Sequence, residues 1–108
     1  MSRIVLITGA SSGYGKAMAK RFKENGDTVI MASKDAEKLN AALKEVGGDL
    51  AVPMDVTCPK AWDDMVKLVK EKYGKLDILI NNAGGGIAIK ETADLSVEEI
   101  DKTIKLNL

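Results

Sequence analysis

The sequence predicts an α/β fold, a parallel sheet of about four strands covered by helices on both faces, and two observations predict it. Short apolar, β-branched runs alternate along the chain with longer segments whose apolar residues recur every three or four positions. Glycines or turn pairs stand between these segments, where helices stop. Regular alternation of strand and helix makes a parallel sheet with right-handed crossovers the economical arrangement. At 108 residues, with 45% hydrophobic, the chain suits a single domain around one core.

Ile4-Val5-Leu6-Ile7 is continuously apolar, as a strand buried on both faces must be, and forms the first strand. Tyr14, Ala17, Met18 and Phe22 then draw the stripe of a first helix, which Gly26 stops. Thr28 to Ala32 reads as the second strand. Ala36, Leu39, Ala42, Leu43 and Val46 read as the second helical stripe, closed by Gly47-Gly48. A short third strand covers Leu50 to Val52. Thr57, as a cap, and Pro59, in the first turn, open a third helix. Its buried face is expected at Ala61, Trp62, Met65, Val66, Val69 and Tyr73, with Gly74 as its end. Leu76, Ile78, Leu79 and Ile80 give a fourth strand before the glycine-rich stretch Asn81 to Gly86. Ser96-Val97-Glu98-Glu99 has the form of a capping box, opening a fourth helix along Val97, Ile100 and Ile104.

Composition removes several classes of function. Sixteen basic residues balance sixteen acidic ones and interleave along the helices, which argues against a nucleic-acid or membrane partner and for a small-molecule ligand. Cys58 is the only cysteine and histidine is absent, so internal disulfides, the usual zinc sets and histidine-based triads are excluded. No apolar run approaches the ~20 residues of a membrane span, and the short N-terminal apolar stretch lacks a cleavage-type site. A cytoplasmic protein is expected.

The chemistry concentrates in Thr8-Gly9-Ala10-Ser11-Ser12-Gly13-Tyr14-Gly15. A strand that runs through Gly9-x-x-x-Gly13-x-Gly15 into a helix places unpaired amides and the positive helix end where a pyrophosphate can sit. Glycines allow the tight turn and close approach that side chains would block. A plain strand-to-helix turn would need about one glycine, not three with Ser11 and Ser12 between them. A P-loop is excluded, because Gly15-Lys16 has Ala10 where the leading glycine should be and Ala17 in place of the hydroxyl. Gly9-Ala10-Ser11-Ser12-Gly13 also matches the G-x-S-x-G elbow of hydrolases, but no histidine can activate Ser11. At the end of the second strand an acidic residue would accept from a ribose 2′-hydroxyl and repel a 2′-phosphate; here stand Ser33 and Lys34, a hydroxyl and a cation. NADP is thereby favoured over NAD, although a lysine there also serves as an ordinary solvated surface charge.

The glycine spacing T-G-x-x-x-G-x-G resembles that of the short-chain dehydrogenase/reductase family, and the resemblance extends over the whole chain. It implies a Rossmann-like three-layer α/β/α sheet with strand order 3-2-1-4, residues 1–108 forming one NAD(P)-binding domain that is truncated relative to the family. Asp55-Val56 matches the family's D-V pair, implying that the Asp55 carboxylate and the Val56 backbone contact the adenine; the residues alone leave a turn or capping aspartate open. Asn81-Asn82-Ala83-Gly84 matches N-N-A-G, implying that the motif stabilises the central sheet and that Asn82, Ala83 and Gly84 pass beside the ribose and nicotinamide. The cofactor-binding set is then Gly9, Ser11, Ser12, Gly13, Tyr14, Gly15, Ser33, Lys34, Asp55, Val56, Asn82, Ala83 and Gly84. Tyr14 departs from the family's usual isoleucine or leucine, and its hydroxyl needs a partner or water beside the nucleotide.

The same resemblance implies hydride exchange between NADP(H) and a carbonyl or alcohol. Asn107 lies about 20° from Ile100 around the last helix and matches the family's catalytic-tetrad asparagine; at a chain end the same residue could stand exposed. The tyrosine, the lysine four residues later and the serine that the chemistry needs are missing: Tyr14 is followed by Met18 and Tyr73 by Asp77. A phenol without such a cation is a poor acid/base at neutral pH. This stretch is therefore expected to bind cofactor without turning over substrate alone. A non-catalytic nucleotide-binding module, or a fragment that self-associates, is the alternative. The fourth strand is expected to be an apolar edge protected by further residues or by a partner, so a homo-oligomer is expected.

Overall fold

The computed structural model describes residues 3–82 and the strand at 88–91. Elements follow in the order β1 (Ile4–Thr8), α1 (Gly13–Glu24), β2 (Thr28–Ser33), α2 (Ala36–Val46), β3 (Leu50–Pro53), α3 (Pro59–Tyr73), β4 (Ile78–Asn81) and β5 (Ala88–Glu91). The sheet runs β3-β2-β1-β4-β5. Its first four strands are parallel and carry the order 3-2-1-4, with Thr8 opposite Ala32, Ile7 opposite Ile80 and Ser33 opposite Pro53. The carboxyl ends of β1, β2, β3 and β4 therefore lie along one rim of the sheet.

Alternation within each strand divides the core in two. Val5, Ile7, Val29, Met31, Ile78 and Ile80 face Ala19, Leu39 and Ala42 of α1 and α2. Ile4, Leu6, Ile30, Ala32, Val52 and Leu79 face Trp62, Met65, Val66 and Val69 of α3. With both faces covered, β1 is buried at every position, which is why its sequence is continuously apolar. After β3 the chain crosses back to place β4 beside β1, so strand order reverses direction between β1 and its neighbours. Ligands of open α/β sheets bind at such a point. Among the described residues, no helix is long and apolar enough to cross a membrane.

Four expectations need correction. The buried stripe of α1 is Gly15 and Ala19, with Met18 and Phe22 packed beside them, whereas Ala17 is exposed and Tyr14 is 76% exposed. Anchoring the stripe on the bulky Tyr14 rotated it by one position, because glycine leaves no mark on an apolar pattern. Ala36 is also exposed; α2 buries Leu39 and Ala42. Thr57 does not cap α3: Cys58 holds the N-cap position without a side-chain bond, Pro59 follows in the first turn, and the Thr57 hydroxyl turns back to Asp55. Finally, the edge of β4 is not bare, since β5 pairs with it antiparallel, Ile80 opposite Ile89 and Asn81 opposite Ala88. The short, half-charged Ala88-Ile89-Lys90-Glu91 shows little strand pattern and has the composition of an edge strand. The expected fourth helix from Ser96 lies outside the described residues.

Opposite the rim, an ion pair ties the amino end of β1 to Asp27, just before β2. Arg3 Nη2 and Nε donate to Asp27 Oδ2 and Oδ1 at 3.0 and 3.2 Å, and the Arg3 amide adds a third bond at 3.2 Å. The Arg3 guanidinium holds the buried Asp27 carboxyl below the usual carboxylate range.

Candidate functional site

The loop from Thr8 to Gly15 takes its shape from glycine backbone geometry. Gly9 and Gly13 have φ of 61° and 58°, the left-handed region that side-chain-bearing residues avoid. Between them, the Ala10 amide donates to the Ala32 carbonyl at 3.1 Å and seats the loop on the end of β2. Gly15 answers a different need. A Cβ there would lie 2.1 Å from the Gly9 carbonyl oxygen and 2.8 Å from Asn82 Nδ2, so α1 can enter this close to the loop only without a side chain. Ser12 is the N-cap by position, yet its hydroxyl makes no cap bond, and no acidic residue occupies the first turn. The positive end of the helix is left to an outside anion.

Behind the loop lies a buried polar brace. The Thr8 hydroxyl donates to Asn81 Oδ1 at 2.9 Å and accepts the Asn82 amide at 3.0 Å, while Asn82 Nδ2 donates to the Gly9 carbonyl at 3.3 Å. Thr8 and Asn81 are both buried, so this brace fixes the end of β1 against the end of β4 where water does not compete. Its effect is to hold the Gly9 carbonyl against Asn82, on the β4 side of the loop.

Gly9, Ser33, Lys34, Met54, Asp55 and Val56 line a cavity of about 240 Å³ at the ends of β1, β2 and β3. The Ser33 hydroxyl donates to Ser11 Oγ at 3.0 Å and joins the glycine loop to the end of β2. Lys34 Nζ stands 3.8 Å from Asp55 Oδ2. Asp55 is both a turn aspartate and a lining residue: Oδ1 accepts the Thr57 amide at 2.9 Å and the Thr57 hydroxyl at 2.6 Å, and its second oxygen is left toward Lys34. The Thr57 hydroxyl, more than any other neighbour, holds the Asp55 carboxyl below its ordinary range. Val56 is supported from beneath, where buried Trp62 donates its indole N–H to the Val56 carbonyl at 2.8 Å.

Of the residues expected at the site, Gly9, Ser33, Lys34, Asp55 and Val56 share this cavity, Ser11 touches its wall, and Ser12, Gly13, Tyr14 and Gly15 open α1 next to it. Asn82 holds the loop from behind. Ala83, Gly84 and Asn107 lie outside the described residues. Sequence reasoning did not single out Met54, Thr57 or Trp62 for the site, nor the brace role of Thr8, whereas the resemblance of Asn81 and its neighbours to N-N-A-G implied a part in stabilising the central sheet. Thr8 carried a signal, a hydroxyl at the end of an otherwise apolar strand. Trp62 and Thr57 carried none, since each acts through a neighbour that only the fold supplies.

Comparison with known proteins is consistent with this geometry. The family model described as short chain dehydrogenase matches residues 3–108. An uncharacterized oxidoreductase of Staphylococcus aureus strain MW2 is 37% identical over 108 residues, which cover 98% of this chain and 46% of that protein. Among solved structures, L-sorbose reductase from Gluconobacter frateurii, complexed with NADPH and L-sorbose, is 30% identical with a TM-score of 0.73, covering 93% of this chain and 40% of the reductase. The 3-ketoacyl-(acyl-carrier-protein) reductase from Brucella melitensis, complexed with NADH, is 39% identical with a TM-score of 0.66, covering 71% of this chain and 32% of that one. The chain thus spans about half the length of the curated relatives it matches. Glycine loop, strand order and matched sequence agree: the chain belongs to the short-chain dehydrogenase family.

Proposed function

We propose that this chain is the cofactor-binding part of an NADP-dependent oxidoreductase that exchanges hydride between NADP(H) and a carbonyl or alcohol. The observation that carries the reading is the cavity at the strand ends, lined by the left-handed Gly9 of the loop together with Ser33, Lys34 and Asp55. In this reading the first-turn amides of α1 and the loop glycines bind the diphosphate, Asp55 and the Val56 backbone meet the adenine, and Lys34 takes the 2′-phosphate. Asn82, with Ala83 and Gly84, borders the path toward the nicotinamide. Bound there, a nicotinamide dinucleotide supplies or accepts the hydride. Residues 1–108 form one nucleotide-binding domain of that enzyme, and Asn107 belongs to its proton-relay machinery. The tyrosine, lysine and serine of the chemistry are not in this sequence, so substrate turnover belongs to a longer protein. The alternative of a fragment that self-associates through the edge of β4 loses support, because β5 already occupies that edge.

Lys34→Asp tests the assignment of the 2′-phosphate. Calorimetric titration is expected to show NADP binding weakened roughly 10- to 100-fold, the scale of one lost charge-assisted contact, and NAD binding altered less than about threefold. Equal losses for the two dinucleotides would remove Lys34 from that role.

A further inference from the structure

The turn from Asp55 to Cys58 joins β3 to α3 and carries both residues proposed to meet the adenine. Several of its polar groups are engaged within the chain. The Asp55 carbonyl accepts the Cys58 amide at 3.0 Å, Asp55 Oδ1 accepts the amide and hydroxyl of Thr57, and the Val56 carbonyl accepts the indole N–H of Trp62 at 2.8 Å. The Val56 amide, by contrast, has no acceptor among the described residues, and Asp55 Oδ2 has only the exposed Lys34 at 3.8 Å. A donor next to an acceptor suits the edge of adenine, whose exocyclic amine donates beside an accepting ring nitrogen. We infer that Trp62 is a positioning residue for adenine: from beneath the site its indole N–H fixes the Val56 peptide, and through it the donor and acceptor that meet the base. This inference rests on the cofactor reading above and adds to it a residue outside the glycine loop and the Asp55-Val56 pair.

The link runs through one peptide group. The Val56 carbonyl and the Thr57 amide belong to the same planar unit, held at its carbonyl by Trp62 and at its N–H by Asp55 Oδ1. Such a unit tilts as a whole, so freeing the carbonyl turns the Thr57 amide with it and loosens the Asp55 carboxyl. Trp62 is a firm anchor: it is 2% exposed and packs with Met65 and Val66 between α3 and the sheet, in the cluster on which Val56 also packs. Shielded from water, its bond to Val56 meets little competition. A buried indole needs an acceptor in any case, and many a carbonyl would serve. The bond acquires a functional consequence because this carbonyl belongs to the cavity residue whose own amide stays free. Two features limit the effect when the indole donor is gone. The Cys58 bond to Asp55 still closes the turn, and β-branched Thr57 resists the left-handed backbone that a full reversal of the peptide would give it. Losing the donor therefore costs affinity on the scale of one hydrogen bond and does not abolish the site.

Trp62→Phe keeps an aromatic ring in the core and removes the donor. Calorimetry at a temperature where both chains are folded compares NADP with its hypoxanthine analogue, in which an oxygen replaces the exocyclic amine and the neighbouring ring nitrogen carries a proton. The substitution is expected to weaken NADP binding roughly three- to tenfold and binding of the analogue less than about twofold. Equal losses for the two, or no loss for NADP, overturn the inference and leave the cofactor reading intact. A second measurement uses the unsubstituted chain and does not depend on how the variant folds. Trp62 is the only tryptophan in the sequence, so its indole N–H gives a single signal in a proton–nitrogen NMR spectrum. That signal is expected to move with NADP and to stay in place with inorganic pyrophosphate, which has no base. A signal that ignores bound NADP, or that moves equally with both ligands, overturns the inference. Failure of NADP to bind the unsubstituted chain overturns the inference and the cofactor reading together.

Discussion

Replacing Gly15 with alanine is expected to destabilise the chain by about 3 kcal/mol and to lower its Tm by more than about 10 °C. Helix propensity alone argues the reverse, since alanine inside a helix is favoured over glycine by about 1 kcal/mol. Sterics decide the sign. The new Cβ would fall 2.1 Å from the Gly9 carbonyl oxygen and 2.8 Å from Asn82 Nδ2, and the first of these is backbone that cannot rotate away. Relief requires α1 to move off the loop, which opens the packing of Ala19 against the sheet and pulls apart the Asn82 bond to Gly9. Gly13→Ala makes the useful contrast: nothing lies within 4 Å of its Cβ, so its cost is confined to the left-handed backbone, about 1–2 kcal/mol. Thermal and urea unfolding of the two variants measures both effects, and a Gly15→Ala chain as stable as the original would show that α1 does not sit this close.

Thr8→Val should cost about 2–3 kcal/mol although valine has the same shape, greater apolarity and a higher preference for strands. Burial and propensity both predict a gain at this fully buried strand position. The loss comes from the partners: without the hydroxyl, Asn81 Oδ1 loses a donor and the Asn82 amide an acceptor, both at the buried junction of β1 and β4. Thr8→Ser keeps the hydroxyl and gives up one methyl, a cost of about 1 kcal/mol. Urea unfolding should therefore rank the chains original, serine, valine in falling stability. Valine above serine would mean that the brace contributes nothing beyond filling space.

The layers of this fold were legible because they rest on period and composition. Continuous apolarity in Ile4 to Ile7 required helices on both faces, and the helices over Leu39 to Ala42 and Trp62 to Val69 announced themselves by spacing. What escaped the sequence depended on contacts between distant segments. The true stripe of α1 begins at Gly15, whose importance is the space it leaves for Gly9 and Asn82, and no apolar scale registers an absent side chain. The strand β5 exists because β4 offers it a partner, and its own residues show little preference. Thr57 looked like a helix cap because it stands shortly before the proline; here the helix starts one residue later, with Cys58 at the cap position, and the Thr57 hydroxyl donates to Asp55 instead. The candidate site followed the same division. Its glycines could be read from spacing, whereas the pairing of Lys34 with Asp55 joins residues 21 positions apart through the register of β2 and β3.

The central claim is that the loop from Gly9 to Gly15 and the cavity beside it hold a dinucleotide, and amide-resolved NMR during titration with NADP tests it most directly. Binding in the proposed mode shifts the amide signals of Gly9, Ser11, Ser12, Gly13, Tyr14 and Gly15 together with those of Ser33, Lys34, Asp55 and Val56, and leaves α3 beyond its first turn and the Arg3–Asp27 end of the sheet still. Shifts confined to surfaces away from the strand ends, or an unchanged spectrum at millimolar NADP, would contradict it.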